Sequence, residues 1–346
     1  MKIINVAIIG YGLSGRIFHG AIIGAINGFK VKSIVTTDTK KAEQAKIDFP
    51  DVLIVESTES VFKDETIDLV VIATPNTSHF SLAEKALNSG KHVVIEKPFT
   101  VTTHDALRLI DLQHDTMKIL SVYHNRRLDG DYQTIKQLIK NDELGRLVEF
   151  ESHFDRFRNT MKDNAWREQD LPGSGMLYDL GAHLIDQALD LFGLPQEVYA
   201  DMSSQRRGPI DDSFEIILYY SELKVTLKSS IHVKEPLPRF ILNGSDGSFV
   251  KYGLDVQEPQ LKDGIRPNDP QYGMENKDKW GILNTDSRKS IKTEKGDYTL
   301  YYENIYQAIT QDKPLLISAH DGFNVMRIIE AAKHSHHLGA RIQIKH

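Results

Sequence analysis

The feature that most constrains the fold is a glycine fingerprint, Gly10-x-Gly12-x-x-Gly15, which closes one apolar run and opens a stretch of helical length. At a strand–turn–helix junction the first glycine permits the tight turn and the second lets the backbone approach a diphosphate. The third lets the helix pack closely on the strand. The diphosphate then lies on unpaired N–H groups at a helix N-terminus, where the dipole also favours anions. The motif therefore predicts a dinucleotide-binding domain.

Apolar β-branched runs alternate with polar stretches of helical length over residues 1–124. Such alternation is typical of βαβ units and of a parallel sheet buried on both faces. We predict strands at Asn5–Ile9, Lys32–Thr36, Leu53–Val55, Leu69–Ala73, His92–Ile95 and Ile119–Val122. We predict helices near Ser14–Ile26, Thr39–Asp48, Val61–Lys63, Ser78–Ser89 and Thr103–Gln113, with Ser78 and either Thr102 or Thr103 as N-caps. This is the pattern of an α/β fold, a doubly wound Rossmann domain.

The pattern changes in residues 125–346, which we interpret as an α+β domain for substrate binding and dimerisation. Its longer alternating runs predict a mostly antiparallel open sheet with one wet face: Leu147–Phe157, Val198–Gln205, Phe214–Tyr220, Lys224–His232 and Arg239–Leu242. We predict helices at Tyr132–Lys140, Gly175–Phe192, Tyr301–Thr310 and Asp321–His334. The polar stretch Gln257–Lys295 reads as a surface excursion, and the C-terminal helix is a candidate to pack back on the first domain.

Composition excludes several classes of function. A net charge of -6 gives no basic field for nucleic acid, and the absence of cysteine excludes disulfides, thiolate catalysis and Cys-ligated zinc. The N-terminal apolar run leads into the glycine turn rather than a cleavage site, and no run reaches the roughly 18 apolar residues of a membrane helix. We therefore expect a cytoplasmic protein that binds neither nucleic acid nor membrane.

Several predicted strands end at one crevice, where ligands bind in open α/β sheets. The most informative of these ends is Glu96-Lys97-Pro98, directly after an apolar run. A lysine there can reach into the crevice and stabilise negative charge on a reacting oxygen. The motif also raises the possibility of a cis peptide bond before Pro98, which sequence cannot decide.

Five motifs together resemble the Gfo/Idh/MocA oxidoreductases: GYGLSG at 10–15, ATPN at 73–76, EKP at 96–98, YHNRR at 123–127 and YDLGAH at 178–183. The likeness covers almost the whole chain. Within the family, the stretches SVYHNRR, LYDLGAHLIDQ and FVKYGLD are most similar to NADP-dependent scyllo-inositol dehydrogenases. The resemblance implies hydride transfer between a nicotinamide and a secondary alcohol or ketone of a cyclic polyol or sugar.

The resemblance also implies a catalytic set. Lys97 would hydrogen-bond the reacting hydroxyl, while Asp179 and His183 would bind substrate, with the histidine as acid/base. The i, i+4 spacing of Asp179 and His183 places them on one helix face, where a carboxylate can raise the pKa of a histidine and orient it. The alternatives are a structural N-cap with a core histidine, and a zinc site that adds Asp186.

Further contacts follow from the same strand ends and motifs. We predict polyol contacts from Asn125, Arg126, Trp166, Arg167 and Tyr178. We predict cofactor contacts from Gly10, Gly12, Leu13, Ser14, Gly15, Thr36, Thr37, Asp38, Thr74, Pro75, Asn76, His79, Glu96 and Lys97. No metal site is expected, because the late histidines His334, His336, His337 and His346 fit a solvated helix end.

The choice of nicotinamide depends on the residues after the second strand. An acidic side chain there would bond the adenosine ribose of NAD. If Thr37 takes that place, repulsion of a 2′-phosphate is relieved and Lys40 or Lys41 can pair with it. If Asp38 turns inward, NAD is preferred. The related NADP enzymes tend to carry arginine at the position of Asp38. We favour NADP and keep NAD as the alternative.

Three competing functions remain. The first is a polyol dehydrogenase, or a sugar dehydrogenase or reductase of the same family. A second enzyme would keep NAD bound and use transient oxidation for a hydrolytic or elimination step. The third is a non-catalytic NAD(P)-sensing module, which would need the glycine turn but not Lys97, Asp179 and His183. A C2 homodimer, or a dimer of dimers, would bury the outer face of the second sheet.

Overall fold

The structure of the protein, a computed structural model, describes residues 2–161 and 166–345. Its contacts divide the chain into two compact units. Unit 1 comprises Met1–Asn125, Gln257–Tyr272 and Asp297–Phe323. Unit 2 comprises Arg126–Val256, Gly273–Gly296 and Asn324–His346.

Unit 1 is built on a six-stranded sheet in which every pair of neighbouring strands is parallel. Its strands are β1 (Ile4–Ile9), β2 (Phe29–Val35), β3 (Leu53–Val55), β4 (Leu69–Ile72), β5 (His92–Glu96) and β6 (Leu120–Tyr123). Their order, β3-β2-β1-β4-β5-β6, reverses between β1 and β4, as in doubly wound nucleotide-binding domains. The central strand β4 is buried throughout and β1 is buried at every residue but Asn5, which confirms the predicted parallel α/β sheet.

The first helix of unit 1 begins as a π-helix over Ser14–Gly20 and continues as α1 (Ala21–Ile23). The remaining helices lie at the predicted places in the chain: α2 (Thr39–Asp48), α3 (Thr58–Lys63), α4 (His79–Asn88) and α5 (Thr103–Thr116). A 3₁₀ turn at Asn76–Ser78 precedes α4. The Thr102 side chain accepts the Asp105 N–H and caps α5, as predicted. Ser78 stands at the N-cap of α4, as predicted, but its hydroxyl donates to the Pro75 carbonyl and makes no cap bond to the helix.

Unit 2 is built on a nine-stranded sheet with the order β14-β13-β12-β11-β7-β10-β9-β8-β15. The strands are β7 (Leu147–His153), β8 (Glu197–Ser203), β9 (Ser213–Tyr219), β10 (Lys224–Ser230), β11 (Phe240–Gly244), β12 (Ser248–Lys251), β13 (Gly281–Asn284), β14 (Arg288–Ile291) and β15 (Ile342–Gln343). Its helices include α6 (Gly130–Lys140) and α7 (Ala182–Phe192), which continues a π-helix at Leu177–Gly181. Short 3₁₀ turns lie at Asn125–Leu128, Trp166–Glu168 and Lys277–Lys279.

One pair in this sheet, β7 with β10, is parallel, whereas the other pairs are antiparallel as predicted. A parallel pair needs a long crossover, and α7 with two strands lies between β7 and β10 in the chain. One face carries the core, since Phe214, Ile216 and Leu218 of β9 are buried while the residues between them are half-exposed.

The predicted surface excursion is in part regular and buried. It contains α8 (Gln257–Lys262) and strands β13 and β14, and Leu261, Tyr272 and Leu283 are fully buried. The first part of this stretch belongs to unit 1, where α8 contacts the π-helix. The elements are too short for a readable periodicity, which is why the sequence pattern failed here.

Two C-terminal helices also change the expected division of the chain. The sequence-based boundary assigned all of 125–346 to one domain, but α9 (Thr299–Gln311) lies in unit 1. Its Tyr301 hydroxyl lies 2.6 Å from the Ser121 hydroxyl of β6, so α9 covers part of the parallel sheet. The helix α10 (Ala319–Leu338) begins in unit 1 and continues into unit 2. Within 2–161 and 166–345, no helix is long and apolar enough to cross a membrane.

Candidate functional site: a dinucleotide cradle and two candidate catalytic motifs

Each of the three fingerprint positions is occupied by glycine for a different structural reason. Gly10 has φ +91°, and a Cβ there would lie 2.6 Å from the Ala73 carbonyl oxygen. A Cβ on Gly15 would lie 2.0 Å from the Gly10 carbonyl oxygen, so this glycine permits the close packing of helix and turn. A Cβ on Gly12, by contrast, would meet no atom of the described chain within 4 Å. The loop thus presents bare backbone to open space, which fits the approach of a diphosphate.

The next two residues of the loop take different positions. Leu13 is exposed beside the open backbone at the start of the π-helix. The Ser14 hydroxyl donates to Glu96 Oε1 and so ties the glycine loop to the end of β5. Because this bond joins the cradle to the Glu96-Lys97-Pro98 motif, unit 1 brings together the two motifs on which the sequence interpretation rests.

The end of β2 shows how Asp38 is used. Its side chain accepts the Lys41 N–H at 3.1 Å and lies 3.4 Å from the Lys41 ammonium, so it caps the N-terminus of α2. These interactions lower the pKa of Asp38, with the backbone hydrogen bond from Lys41 as the main cause. The backbone N–H of Asp38 donates to the Thr36 hydroxyl, and Thr37 between them is exposed.

The end of β4 carries the predicted contacts Thr74, Pro75, Asn76 and His79. Pro75 is exposed and Asn76 is buried. The two ring nitrogens of buried His79 lie 2.9 Å from the Pro98 carbonyl oxygen and 3.1 Å from the Thr74 carbonyl oxygen. Burial lowers the pKa of His79. The ring therefore joins the ends of β4 and β5, and its hydrogen-bonding atoms face the protein backbone.

The end of β5 presents Lys97 after the buried carboxylate of Glu96. Burial raises the pKa of Glu96, but hydrogen bonds from His19 and Ser14 and the charge of Lys97 outweigh it and lower the pKa to about 2. The Lys97 N–H also donates to Glu96 Oε2 at 3.0 Å. The Lys97–Pro98 peptide bond is cis. A fixed anion thus stands beside the lysine at the ligand edge of the sheet.

Unit 2 brings several predicted substrate residues together around its π-helix. Arg167 Nε lies 3.4 Å from Asp179 Oδ1, and the Arg167 guanidinium stacks 4.5 Å from the Trp166 ring. The Gly175 N–H donates to the Arg167 carbonyl, and the Asp179 N–H donates to that of Gly175. This half-exposed Trp–Arg–Asp group can offer several hydrogen bonds to a hydroxylated ligand.

His183 follows in the first turn of α7 and is buried, with 6% of its surface exposed. Tyr178, beside Asp179, is also buried, and burial raises its pKa to about 12. Asp186, the third member of the zinc alternative, accepts two hydrogen bonds from Arg127 at 2.7 and 2.9 Å. That ion pair gives Asp186 a structural role and removes the support for the zinc alternative.

The remaining predicted residues lie at the junction of the two stretches of sequence. Asn125 closes unit 1 and is buried. Arg126 begins unit 2, where it pairs with Asp129 at 3.4 Å and lies 5.3 Å from the Phe154 ring.

Of the late histidines, His334, His336 and His337 are exposed, and His346 lies outside the described residues. No group of three or more His, Cys, Asp or Glu within 2–161 and 166–345 could hold a metal ion.

The sequence interpretation missed His19. It lies fully buried, with Nε2 3.1 Å from Glu96 Oε1. Its only signal in the sequence is a histidine directly after the apolar pair Ile17-Phe18. Tyr302, its second partner, lies far along the chain and has no sequence signal at all.

Comparison with known proteins decides the family. Residues 4–124 match the model of an oxidoreductase family with an NAD-binding Rossmann fold, and residues 136–344 match its C-terminal alpha/beta domain. The chain belongs to the Gfo/Idh/MocA oxidoreductase family. It is therefore an NAD(P)-dependent dehydrogenase acting on CH–OH groups, and its glycine cradle fits that cofactor.

Relatives in this family match nearly the whole chain. The oxidoreductase YdgJ of Escherichia coli strain K12 is 41% identical over 96% of this chain and 97% of its own. The NADP-dependent scyllo-inositol 2-dehydrogenase IolW of Bacillus subtilis strain 168 is 38% identical over 99% of this chain and 96% of its own. The solved structure of the oxidoreductase YvaA from Bacillus subtilis superposes with a TM-score of 0.96, at 37% identity and 99% coverage of both chains.

Proposed function

We propose that the protein oxidises a secondary alcohol of a cyclic polyol and reduces NADP, or runs the reverse reaction, with scyllo-inositol as the first substrate to test. The observation that carries the proposal is the Ser14–Glu96 hydrogen bond, which fixes the end of β5, and so Lys97, at the dinucleotide cradle. The similarity to a scyllo-inositol dehydrogenase over almost the full length supports the polyol.

The roles follow from the chemistry of the side chains. A bound nicotinamide supplies the hydride acceptor or donor. The Lys97 ammonium stabilises negative charge on the substrate oxygen, and the ionised Glu96 next to it keeps a counter-ion in place. We assign the proton to His183, since an imidazole changes charge near neutral pH, and assign substrate binding to Asp179 with Arg167.

We propose that NADP is preferred over NAD. The Asp38 carboxylate caps α2 and pairs with Lys41, which favours its orientation toward the helix over one toward the ribose. Thr37 then occupies the position of the usual acid, and it carries no charge to repel a 2′-phosphate. The exposed side chains of Lys40 and Lys41 can pair with that phosphate.

The cofactor preference is tested by kcat/KM with each nicotinamide. We expect wild type to favour NADP, and Thr37→Asp to reverse this preference by placing a carboxylate beside the ribose. Asp38→Asn keeps a capping side chain and is the matched control, which we expect to leave the preference unchanged. A wild-type preference for NAD that Asp38→Asn abolishes would show that Asp38 faces the ribose.

The reaction is tested with a panel of inositol isomers, aldoses and their keto forms, followed by the absorbance of the reduced nicotinamide. We expect Lys97→Ala and His183→Ala to lower turnover by about 10²–10⁴-fold with little change in cofactor affinity. If both side chains serve one reaction, the double variant should lose less than the product of the single losses. Lys85→Ala, at an exposed surface pair, is the control. A His183→Ala enzyme with full turnover across pH would refute the assignment.

We also propose a homodimer through the open face of the unit 2 sheet. A row of residues in register crosses the sheet and includes five half-exposed apolar side chains, Tyr199, Ile217, Ile241, Val250 and Ile282, with Thr226 of β10 and Glu151 of β7 between Ile217 and Ile241. The ion pairs Lys224–Glu149 and Lys228–Glu215 flank the row, so its border carries balanced charge. Half-exposed apolar side chains on both sides of a polar centre suit a two-fold interface with a second copy of the chain.

Light scattering tests the dimer. We expect the wild type to have twice the chain mass, and Ile217→Lys/Ile241→Lys to be monomeric. Ile47→Lys, at an exposed position of unit 1, controls for the added charge. A wild-type monomer at micromolar concentration would refute the proposed interface.

A further inference from the structure

A buried chain of hydrogen bonds runs from α9 through the π-helix Ser14–Gly20 to the end of β5. His19 Nδ1 lies 2.5 Å from the Tyr302 hydroxyl, and His19 Nε2 lies 3.1 Å from Glu96 Oε1. The side chains of His19 and Tyr302 are fully buried, and Glu96 is 9% exposed. All three residues belong to unit 1.

The chemistry of the partners fixes the protons along this chain. An ionised Glu96 only accepts, so His19 Nε2 carries the hydrogen and donates it. In an imidazole with its single hydrogen on Nε2, Nδ1 accepts the hydroxyl hydrogen of Tyr302. Burial raises the pKa of Tyr302 well above its ordinary value, so the phenol keeps that hydrogen. In that form the direction of donation runs from Tyr302 to His19 to Glu96.

The π-helix explains why two donors reach one carboxylate. Ser14 opens the Ser14–Gly20 segment and His19 lies near its end, and both side chains donate to Glu96 Oε1. Short π-helical segments are rare and concentrate at functional sites, because they re-aim side chains at the cost of regular bonding. The His19 ring is further fixed by Tyr123, whose ring centroid lies 4.3 Å away.

The chain ends at the lysine assigned to the substrate oxygen. Glu96 Oε1 receives Ser14 and His19, while Oε2 receives the backbone N–H of Lys97. A carboxylate held by three donors has one position and stays ionised even when buried. Its charge and its bond to the Lys97 backbone both act on the residue that follows it.

We propose that His19 is a positioning residue of the reaction: the Tyr302–His19–Glu96 chain holds the Glu96 carboxylate fixed beside Lys97, and so sets the place of the Lys97 ammonium. This inference rests on the proposed role of Lys97 and extends it to two residues that do not themselves touch the substrate. Tyr302, which lies 283 residues from His19 in the sequence, thereby also affects catalysis.

Two variants of His19 separate hydrogen bonding from shape. The amide of His19→Gln can donate to Glu96, whereas His19→Leu cannot. We expect His19→Leu to lower kcat by about 10- to 100-fold, the range for losing a hydrogen bond to a charged group, with KM for the cofactor changed less than threefold. We expect His19→Gln to restore most of kcat. Equal losses in both variants would overturn the proposal.

Tyr302 provides a second test that leaves His19 in place. Tyr302→Phe removes the donor to His19 Nδ1, and we expect a severalfold loss of kcat. Tyr301→Phe is the matched control, because Tyr301 is the neighbouring buried tyrosine of α9 and its hydroxyl bonds Ser121 instead. Equal kcat values for the two folded variants, checked by circular dichroism, would contradict the chain.

The pH profile gives a readout that a packing role would not move. Ketone reduction is the useful direction, because protonated His183 is then the active form and produces no acid limb. As pH falls, Glu96 loses its charge, and we expect this acid loss at higher pH in His19→Leu than in wild type. The titratable groups facing Glu96 are His19, Lys97, His79, Tyr301 and Tyr302. The His19→Gln variant keeps all of these groups except His19, so its pH profile controls for their titration.

The two proposals fail in different ways. Full turnover in Lys97→Ala would overturn the proposed function. A folded His19→Leu enzyme with wild-type kcat and pH profile, alongside an inactive Lys97→Ala enzyme, would overturn only the role of His19.

Discussion

Two glycines of one loop, Gly12 and Gly15, should fail in opposite ways when they gain a side chain. A Cβ on Gly15 would lie 2.0 Å from the Gly10 carbonyl oxygen, where real contacts do not fall below 3.0 Å, so the loop must move by 1.0 Å (3.0 − 2.0). A Cβ on Gly12 meets nothing within 4 Å among the described residues. Gly15→Ala therefore affects the protein itself, and Gly12→Val affects what approaches it.

The magnitudes follow from these distances. Overpacking against rigid backbone costs up to about 3 kcal/mol, and the helix propensity of alanine returns about 1 kcal/mol. We therefore expect Gly15→Ala to lose about 2 kcal/mol, which lowers Tm by roughly 4–8 °C. We expect Gly12→Val to keep its Tm within a few degrees but to weaken cofactor binding at least about 100-fold, or about 2.7 kcal/mol.

The assay is thermal unfolding with and without NADPH, paired with a titration of nicotinamide fluorescence. A ligand at about 100 times its Kd stabilises the folded state by about 2.7 kcal/mol, so wild type should gain a clear shift in Tm. Gly15→Ala should start lower and still gain from the cofactor, whereas Gly12→Val should start near wild type and gain nothing. Unchanged cofactor affinity in Gly12→Val would refute the cradle.

Two further predictions concern stability. Lys251→Met should cost about 3–5 kcal/mol in urea unfolding, because it strands the Glu275 carboxylate of a fully buried 2.9 Å ion pair; Lys262→Met, at an exposed pair, should cost little, and equal costs would contradict the burial argument. His92 has its pKa lowered to about 4 by burial and by Lys118, and its Nδ1 accepts the Ile119 N–H. Because the pKa of His92 is lower in the folded state, the unfolded state binds the proton at higher pH. We therefore expect the free energy of unfolding to fall by about 2–3 kcal/mol from pH 7 to 4.5, and to fall less in His92→Asn. An equal pH dependence in both proteins would contradict this prediction.

The candidate site residues of unit 1 could be located from the sequence because they stand at strand ends. Residues such as Thr74 and Lys97 follow buried β-branched runs, and the carboxyl ends of parallel strands meet at one edge of a sheet. The fold of unit 1 was predictable for the same reason, since each strand and helix has a local signature. The predicted roles of these side chains in catalysis and binding stay predictions.

Structural features with weak local signals could not be predicted from the sequence. The strands β13 and β14 are four residues long and lie in a polar stretch, so alternation had no room to show. The side chain of Asp38 could have faced either the ribose or α2, and the sequence allowed both. In the folded chain the Asp38 carboxylate accepts the Lys41 N–H, a contact between residues three apart whose formation depends on where α2 begins.

The sequence by itself determined the parallel sheet, the glycine cradle and the family, because these depend on residue type and spacing within short segments. Only the tertiary structure decided which distant residues share a bond. It joined Ser14 and His19 to Glu96, and brought Tyr302 from α9 onto His19. The physical reason is that a buried carboxylate needs several donors at once, and no single segment of this chain supplies them all.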